Sequence, residues 1–453
     1  MPLRLLQYSD VENACDDPPR IGRLAALLRT YSDDETLLVG TGDNTAPGVL
    51  PLVTEGRQVL EFYDAVEPDV ATFGNHDFDF GPEAALEVVR ESPHRWLSAN
   101  VRRNGGVFGA EAGVEPWTIL ERADTRVGFT GVTTARTGSL NPMATGLEFR
   151  EPIPAARDAV DALRAAGVDC VVVCSHLGSR DDELARAVDA DVILGGHVAS
   201  SRIERIDGTL VTRPGDGGHA VVEVTIDAEP TATLRSATEV APAPDVVSAF
   251  ERLVETTGLD DVVARVDEPL ERTEETLFGG ESPVGNFVAD AYRWQTGADV
   301  ALQNSGGIRS GSPLEGEVTV ADCISLVPFD EPLTVAELDG ETLEAVVSDA
   351  AGLDLSFAED DWWHAHVSGM ALEWNPADHA VDLRRVGGEP FDPDGTYTLA
   401  TSDYLFHTTD EFPALGPDHR REQTAASQYE VLAAYAREFG IEPGVDGRVR
   451  RVD

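Results

Sequence analysis

Lysine is absent from this chain: all 34 basic residues are arginine, set against 82 aspartates and glutamates, for a formal charge of −48. That balance, with no basic patch, argues against nucleic acid as a partner. The acids are scattered among apolar residues rather than gathered into a tail. The hydrophobic fraction of 42% is that of a folded protein, so disorder is excluded. An acid-covered, lysine-free globular surface fits multimolar salt, where the Debye length falls to about 3 Å and self-repulsion is screened. It points to a salt-loving source, a halophilic archaeon.

Long hydrophobic runs are lacking too. No stretch approaches the about 18 apolar residues of a membrane span, and the N-terminus MPLRLLQYSD carries no signal-peptide pattern. A soluble, cytoplasmic protein with no membrane partner is expected. Cysteine is scarce: Cys15, Cys170, Cys174 and Cys323 suggest no disulfide framework. In VDCVVVCSH, Cys170 and Cys174 share one side of a strand and read as small buried hydrophobes.

Short apolar runs alternate with amphipathic helical patterns through the first half, which predicts an α/β layout. The strands are LRLLQYSD, TLLVGTGD, VATFGNHD, RWLSANV, RVGFTGV, DCVVVCSH and DVILGGH; RIGRLAALLRTY and AARDAVDALRAAG are among the helices. At 453 residues the chain exceeds one ordinary core. The expected division is a domain over 1–229, a linker and connecting helix over 230–259, and a second domain over 260–453. The EVAPAPD segment is the expected hinge.

Five strands end in groups able to bind metal: SD10, GD43, GN75-H76-D77, SH176 and GGH197. Ligands of open α/β sheets bind at the carboxyl ends of strands. A capping aspartate or a core histidine explains any one of these ends alone, but not five in register.

In this order the motifs resemble the calcineurin-like metallophosphoesterase domain. With NSGGIR, VPF and TSDYLFHTTDEF of the second half, the whole chain is similar to the 5′-nucleotidase / UDP-sugar hydrolase family. The resemblance implies a metallophosphoesterase β-sandwich flanked by helices (αββα), followed by an α/β nucleotide-binding domain. It implies two divalent metal ions, Mn²⁺ foremost with Mg²⁺, Zn²⁺ or Co²⁺ as alternatives, and a small-molecule nucleotide substrate. A phosphoester needs its charge neutralised, an attacking oxygen generated and a leaving oxygen stabilised, and a pair of cations sharing a carboxylate answers all three needs.

Carried over by position, Asp43 is the shared ligand, and it completes one site with Asn75, His176 and His197. His76 is the catalytic histidine and Asp79 orients it. The other site departs from the family pattern: D-x-H is replaced by Asp10-Val11-Glu12, and Ala199 stands where relatives carry a ligand. Glu12 is expected to substitute as a ligand, giving a carboxylate-rich site suited to Mn²⁺ or Mg²⁺. A water or His219 is the alternative for the remaining position.

In the second domain Arg309 is implied for the phosphate, Asn304 for base or ribose, Phe329 and Tyr404 for stacking on the base, and Asp410 for the ribose hydroxyls. His364 and His366 read as packing or surface residues, as do His94, His379 and His419. TTDEF lacks the glycines usual in relatives, and an arginine usual before ESPVGN is missing. The activity expected is therefore that of a 5′-nucleotidase releasing phosphate from nucleoside monophosphates. The alternatives are a 2′,3′-cyclic-nucleotide or nucleotide-sugar phosphodiesterase, and a nucleotide-binding protein whose metal site has decayed. The sequence leaves the oligomeric state undetermined.

Overall fold

The computed structural model describes residues 2–141, 143–351, 362–407 and 411–452. The chain divides into two compact units, Met1–Thr257 and Gly258–Asp453.

Twelve strands build the first unit's sandwich: β1 (Arg4–Tyr8), β2 (Thr36–Thr41), β3 (Val70–Thr72), β4 (Arg95–Leu97), β5 (Trp117–Arg122), β6 (Thr125–Thr133), β7 (Cys170–His176), β8 (Val192–Gly195), β9 (Arg202–Ile206), β10 (Thr209–Arg213), β11 (Ala220–Thr225) and β12 (Thr231–Ser236). One sheet runs β12-β11-β1-β2-β3-β4 and the other β9-β10-β8-β7-β6-β5. Strands β1 to β4 are mutually parallel, as are β6, β7, β8 and β10. Parallel strands covered on both faces read as unbroken apolar runs, and TLLVGT and CVVVCSH are buried at every position.

Alternation then sorts the side chains. Leu5, Leu37, Val39, Phe129, Cys170, Val172 and Cys174 fill the space between the sheets. Val171, Val173, Ile193 and Val211 face outward onto the helix Pro152–Ala165, through Ile153, Ala156, Val160 and Leu163. The four cysteines are buried and free, Cys170 and Cys174 both pointing into the inter-sheet core.

Two segments expected to link the domains belong to the first unit. Thr231–Ser236 pairs with β11 as the sheet's edge strand. The EVAPAPD stretch is anchored to the helix Pro18–Tyr31: Ala243 N donates to Gly22 O at 2.9 Å, and Arg29 grips Asp245 through two bonds of 3.0 and 2.9 Å. The helix Pro244–Thr257 follows directly, and the boundary between units lies at its end.

The second unit is built on a five-stranded sheet in the order Ala365–Ser368, Val300–Asn304, Thr396–Ser402, Pro332–Asp339, Arg420–Ser427. Helices Pro283–Thr296 and Gln428–Phe439 supply Phe287, Val288, Tyr292, Val431 and Leu432 to one core cluster. The helix Gly340–Asp349 supplies Leu343, Val346 and Val347 to another, with Trp363 and Trp374. No helix among the described residues is long and apolar enough to cross a membrane.

Candidate active site

The five polar strand ends converge from both sheets of the sandwich. Asp10, Asp43 and Asn75 follow β1, β2 and β3 of one sheet; His176 closes β7 and His197 follows β8 of the other. Asp10, Asp43 and His197 take left-handed backbone angles, with φ of 49°, 51° and 69°, and Glu12 does the same at 46°. Such φ values are uncommon outside glycine and mark turns held by their surroundings. At Gly74 an added Cβ would collide with the Asp43 carboxylate, which explains the glycine of GNH.

Two groups of candidate metal ligands form here: Asp43 with His176 and His197, and Asp43 with Asp10 and Glu12. Asp43 is common to both. His176 Nδ1 lies 2.8 Å from the Thr41 carbonyl and its Nε2 lies 2.8 Å from Asp43 Oδ2. The carbonyl accepts a hydrogen bond from Nδ1–H, so Nε2 is the atom turned to the site. Main-chain donors hold the acids: His76 N donates to Asp43 Oδ1 at 2.7 Å, and His197 N to Asp10 Oδ1 at 3.0 Å.

The electrostatics ask for cations. Burial, then Asp43 and Asp10, push Glu12 up to about 8. Asp10 is raised as well, first by burial and against the pull of His176. Three converging carboxylates are costly without a counter-charge. The Asn75 side-chain oxygen is buried with no hydrogen-bond partner among the described residues. An orphaned oxygen, two imidazoles and three carboxylates fit divalent ions well.

Beside this cluster, His76 Nδ1 meets Asp79 Oδ2 at 2.8 Å. Burial alone would lower His76, but Asp79 and Asp43 outweigh it and raise it to about 9. Asn141 escaped the sequence reading, and Asp77 was misplaced by it. Asn141 Nδ2 donates to Asp79 Oδ1 at 2.9 Å, across a sequence separation of 62 that leaves no local signal. Asp77, grouped by sequence with the ligands, turns instead to the GDN loop. It accepts from Asp43 N at 3.0 Å, Gly74 N at 2.7 Å and Thr45 Oγ1 at 2.8 Å. Ala199 supplies no ligand, and His219 is exposed and belongs to neither ligand group.

In the second unit a cavity of about 520 Å³ is lined by Asn304, Arg309, Phe329 and Tyr404, four of the residues expected to hold substrate. The Arg309 guanidinium sits over the Phe329 ring at 4.9 Å. Asp410 lies outside the described residues. Its neighbour Glu411 lines the cavity and is buried, as is His364, one of the histidines expected to pack. Phe278 and Trp362 stack at 4.1 Å in the same wall.

The family model for the calcineurin-like phosphoesterase matches residues 3–201, and that for the 5′-nucleotidase C-terminal domain matches residues 262–417. The chain thus pairs a calcineurin-like phosphoesterase domain with a 5′-nucleotidase C-terminal domain. It is 22% identical to the 5′-nucleotidase of Bos taurus, over 99% of this chain and 88% of the relative. It is 25% identical to the endonuclease YhcR of Bacillus subtilis, over 99% of this chain but only 41% of that protein's length. Among solved structures, the 5′-nucleotidase precursor of Thermus thermophilus superposes over all of both chains with a TM-score of 0.68 at 23% identity. That likeness establishes the fold, and the first domain match puts the sandwich unit in the class of calcineurin-like phosphoesterases.

Proposed function

We propose that the chain is a metal-dependent 5′-nucleotidase, releasing phosphate from nucleoside monophosphates. The observation that carries this reading is Asp43, shared by two ligand groups with the His76–Asp79 pair alongside. Asp10, Glu12 and Asp43 would hold one divalent ion, and Asp43, Asn75, His176 and His197 the other. When bound, these ions supply charge neutralisation at the phosphoryl group and a water of lowered pKa. The carboxylate-rich first group favours Mn²⁺.

The chain's own residues do the rest. Asp79 accepts from His76 Nδ1, which leaves Nε2 to carry the proton for the departing nucleoside oxygen. Asn141 holds the second oxygen of Asp79, so the carboxylate cannot rotate away. In the second unit, Phe329 and Tyr404 offer flat faces to the base and Arg309 a guanidinium to the phosphate. Four free cysteines fit a reducing compartment, and we take the cytoplasm of a salt-adapted organism as the place of action.

The test is turnover in multimolar KCl with Mn²⁺, comparing AMP, 2′,3′-cyclic AMP and UDP-glucose by phosphate release and product chromatography. AMP is expected to be the best substrate. Turnover of none of the three, with nucleotide still bound, would overturn the assignment.

A further inference from the structure

Gln303, Asn304 and Glu411 form a chain of side-chain hydrogen bonds along one wall of the second unit's cavity. Gln303 Nε2 donates to Asn304 Oδ1 at 2.7 Å, and Asn304 Nδ2 donates to Glu411 Oε2 at 2.8 Å. His364 Nε2 also meets Glu411 Oε2, at 2.6 Å, while the Tyr404 hydroxyl donates to Oε1 at 2.8 Å. Asn304 therefore spends its amide oxygen and one of its N–H bonds on protein neighbours.

What the chain has to spare is acceptor capacity, at both ends. Gln303 is 1% exposed, lines the cavity, and its Oε1 has no hydrogen-bond partner among the described residues. A carboxylate oxygen offers two lone pairs. Glu411 Oε2 already receives two donors, but Oε1 receives one in the bonds just named. A buried acceptor without a donor is unfavourable, so the site gains from a ligand that brings one. A carbonyl edge would instead meet two oxygens and be repelled.

We infer that Gln303 and Glu411 determine specificity, selecting a nucleoside whose base carries an exocyclic amino group. This rests on the nucleotide reading above and narrows it. An amino group brings two N–H donors and no strong acceptor, so it satisfies whichever of these oxygens it meets. Tyr404, tied through its hydroxyl to Glu411, is a positioning residue: the bond fixes its ring as a wall of the cavity beside the same carboxylate.

Adenosine and purine riboside differ by that amino group alone. Titration calorimetry on the full chain in multimolar KCl is expected to give adenosine about tenfold or more tighter binding. In Glu411→Gln the ratio is expected to fall to about 1–2, with purine riboside within about twofold of its original affinity. Gln303→Leu, which removes the other acceptor at similar volume, is expected to lower the ratio too, and it decides the matter if Glu411→Gln misfolds. Equal binding of the two nucleosides by the parent protein would overturn this inference and leave the nucleotidase reading standing, as would a ratio unchanged in folded variants. Binding of neither nucleoside would overturn both.

Discussion

His176 Nε2 and Asp43 Oδ2 stand 2.8 Å apart at the point where the two sheets of the first unit meet at their strand ends. With Nδ1 already held by the Thr41 carbonyl, this pair either shares a second ring proton or closes around a cation. In the absence of a cation, Asp43 raises His176 to about 10 against the opposing effect of burial. Asp43 is the one acid common to both ligand groups, so its loss and the loss of a peripheral ligand should differ in kind.

Removing the shared ligand is therefore expected to abolish metal binding, and removing Glu12 to halve it. Elemental analysis of Mn²⁺-loaded protein after gel filtration should give about two ions for the parent. It should give about one for Glu12→Ala, and less than one for Asp43→Ala. Two ions retained in Glu12→Ala would remove Glu12 from the ligand set.

The His76–Asp79–Asn141 relay is expected to act on turnover rather than on metal content. General acid catalysis contributes about 10²–10⁴-fold, so His76→Ala should lower kcat by about that factor with both ions retained. Asn141→Ala, which frees one oxygen of Asp79, should lower kcat about tenfold with little change in KM. A rise in KM at constant kcat would mean that Asn141 contacts substrate instead of steadying the dyad.

The convergence of these residues was legible in the sequence because each candidate ligand directly follows an apolar strand, where the step from buried run to polar group is local. Asp10, Asp43, Asn75, His176 and His197 all announce themselves in this way. Which sheet each strand joins could not be read: β4 and β5 lie near each other in the chain yet belong to different sheets, and only long-range pairing decides that. Asp77 was misleading for a related reason. It stands beside two site residues, but the turn after Asn75 aims it backward at the GDN loop. Glu411 and His364 were hidden because one follows the family motif position at Asp410 and the other lies just before the strand Ala365–Ser368, where the sequence expressed its burial only as packing. Likewise, Pro230 reads as a boundary, whereas the residues after it find an unpaired strand edge on β11.

Asp77 should be a stability residue. Its carboxylate gathers donors from Asp43, Asn44, Gly74 and Thr45 in a buried turn. Hydrogen bonds to a charged acceptor contribute about 1.5–3 kcal/mol, and buried donors left alone cost more. Asp77→Ala is expected to lose about 3 kcal/mol or more in denaturant unfolding and, through the loosened loop, to weaken metal binding. Asp77→Asn, which keeps one acceptor, should recover part of both.

His94 gives the fold a pH limit that is separate from the metal centre. Its ring packs edge-on to Tyr63 at 4.6 Å and beside Trp96 at 5.1 Å, and both of its nitrogens are shut off from solvent without a partner among the described residues. Burial holds it down to about 3, against an ordinary 6.5. Below about pH 6.5 the unfolded chain therefore takes up a proton that the folded chain refuses, and stability falls with pH until about pH 3. His94→Phe should remove that slope and retain about 1–2 kcal/mol more than the parent between pH 7 and pH 5, measured by denaturant unfolding at constant salt. Parallel stability curves for the two proteins would mean that the ring is protonated in place.

Salt dependence offers the broadest test. A formal charge of −48 on a chain without lysine leaves arginine as the main cationic side chain at neutral pH. Many arginines already serve exposed pairs such as Arg57 with Glu87 and Glu91, and Arg180 with Glu151 and Glu183. Pairs of that kind contribute little individually, so they cannot offset the excess of like charge that remains. Screening by salt can, because at about 1 M the Debye length is only about 3 Å and acids further apart cease to repel. The melting temperature should therefore rise steeply between 0.1 and 2 M KCl, and the far-ultraviolet dichroism should be lost on dialysis to salt-free buffer. Replacing exposed acids far from the metal centre, such as Glu87 and Glu91, with glutamine should shift the midpoint to lower salt. A fold that survives intact without salt would show that the acidic surface is not held in place by screening.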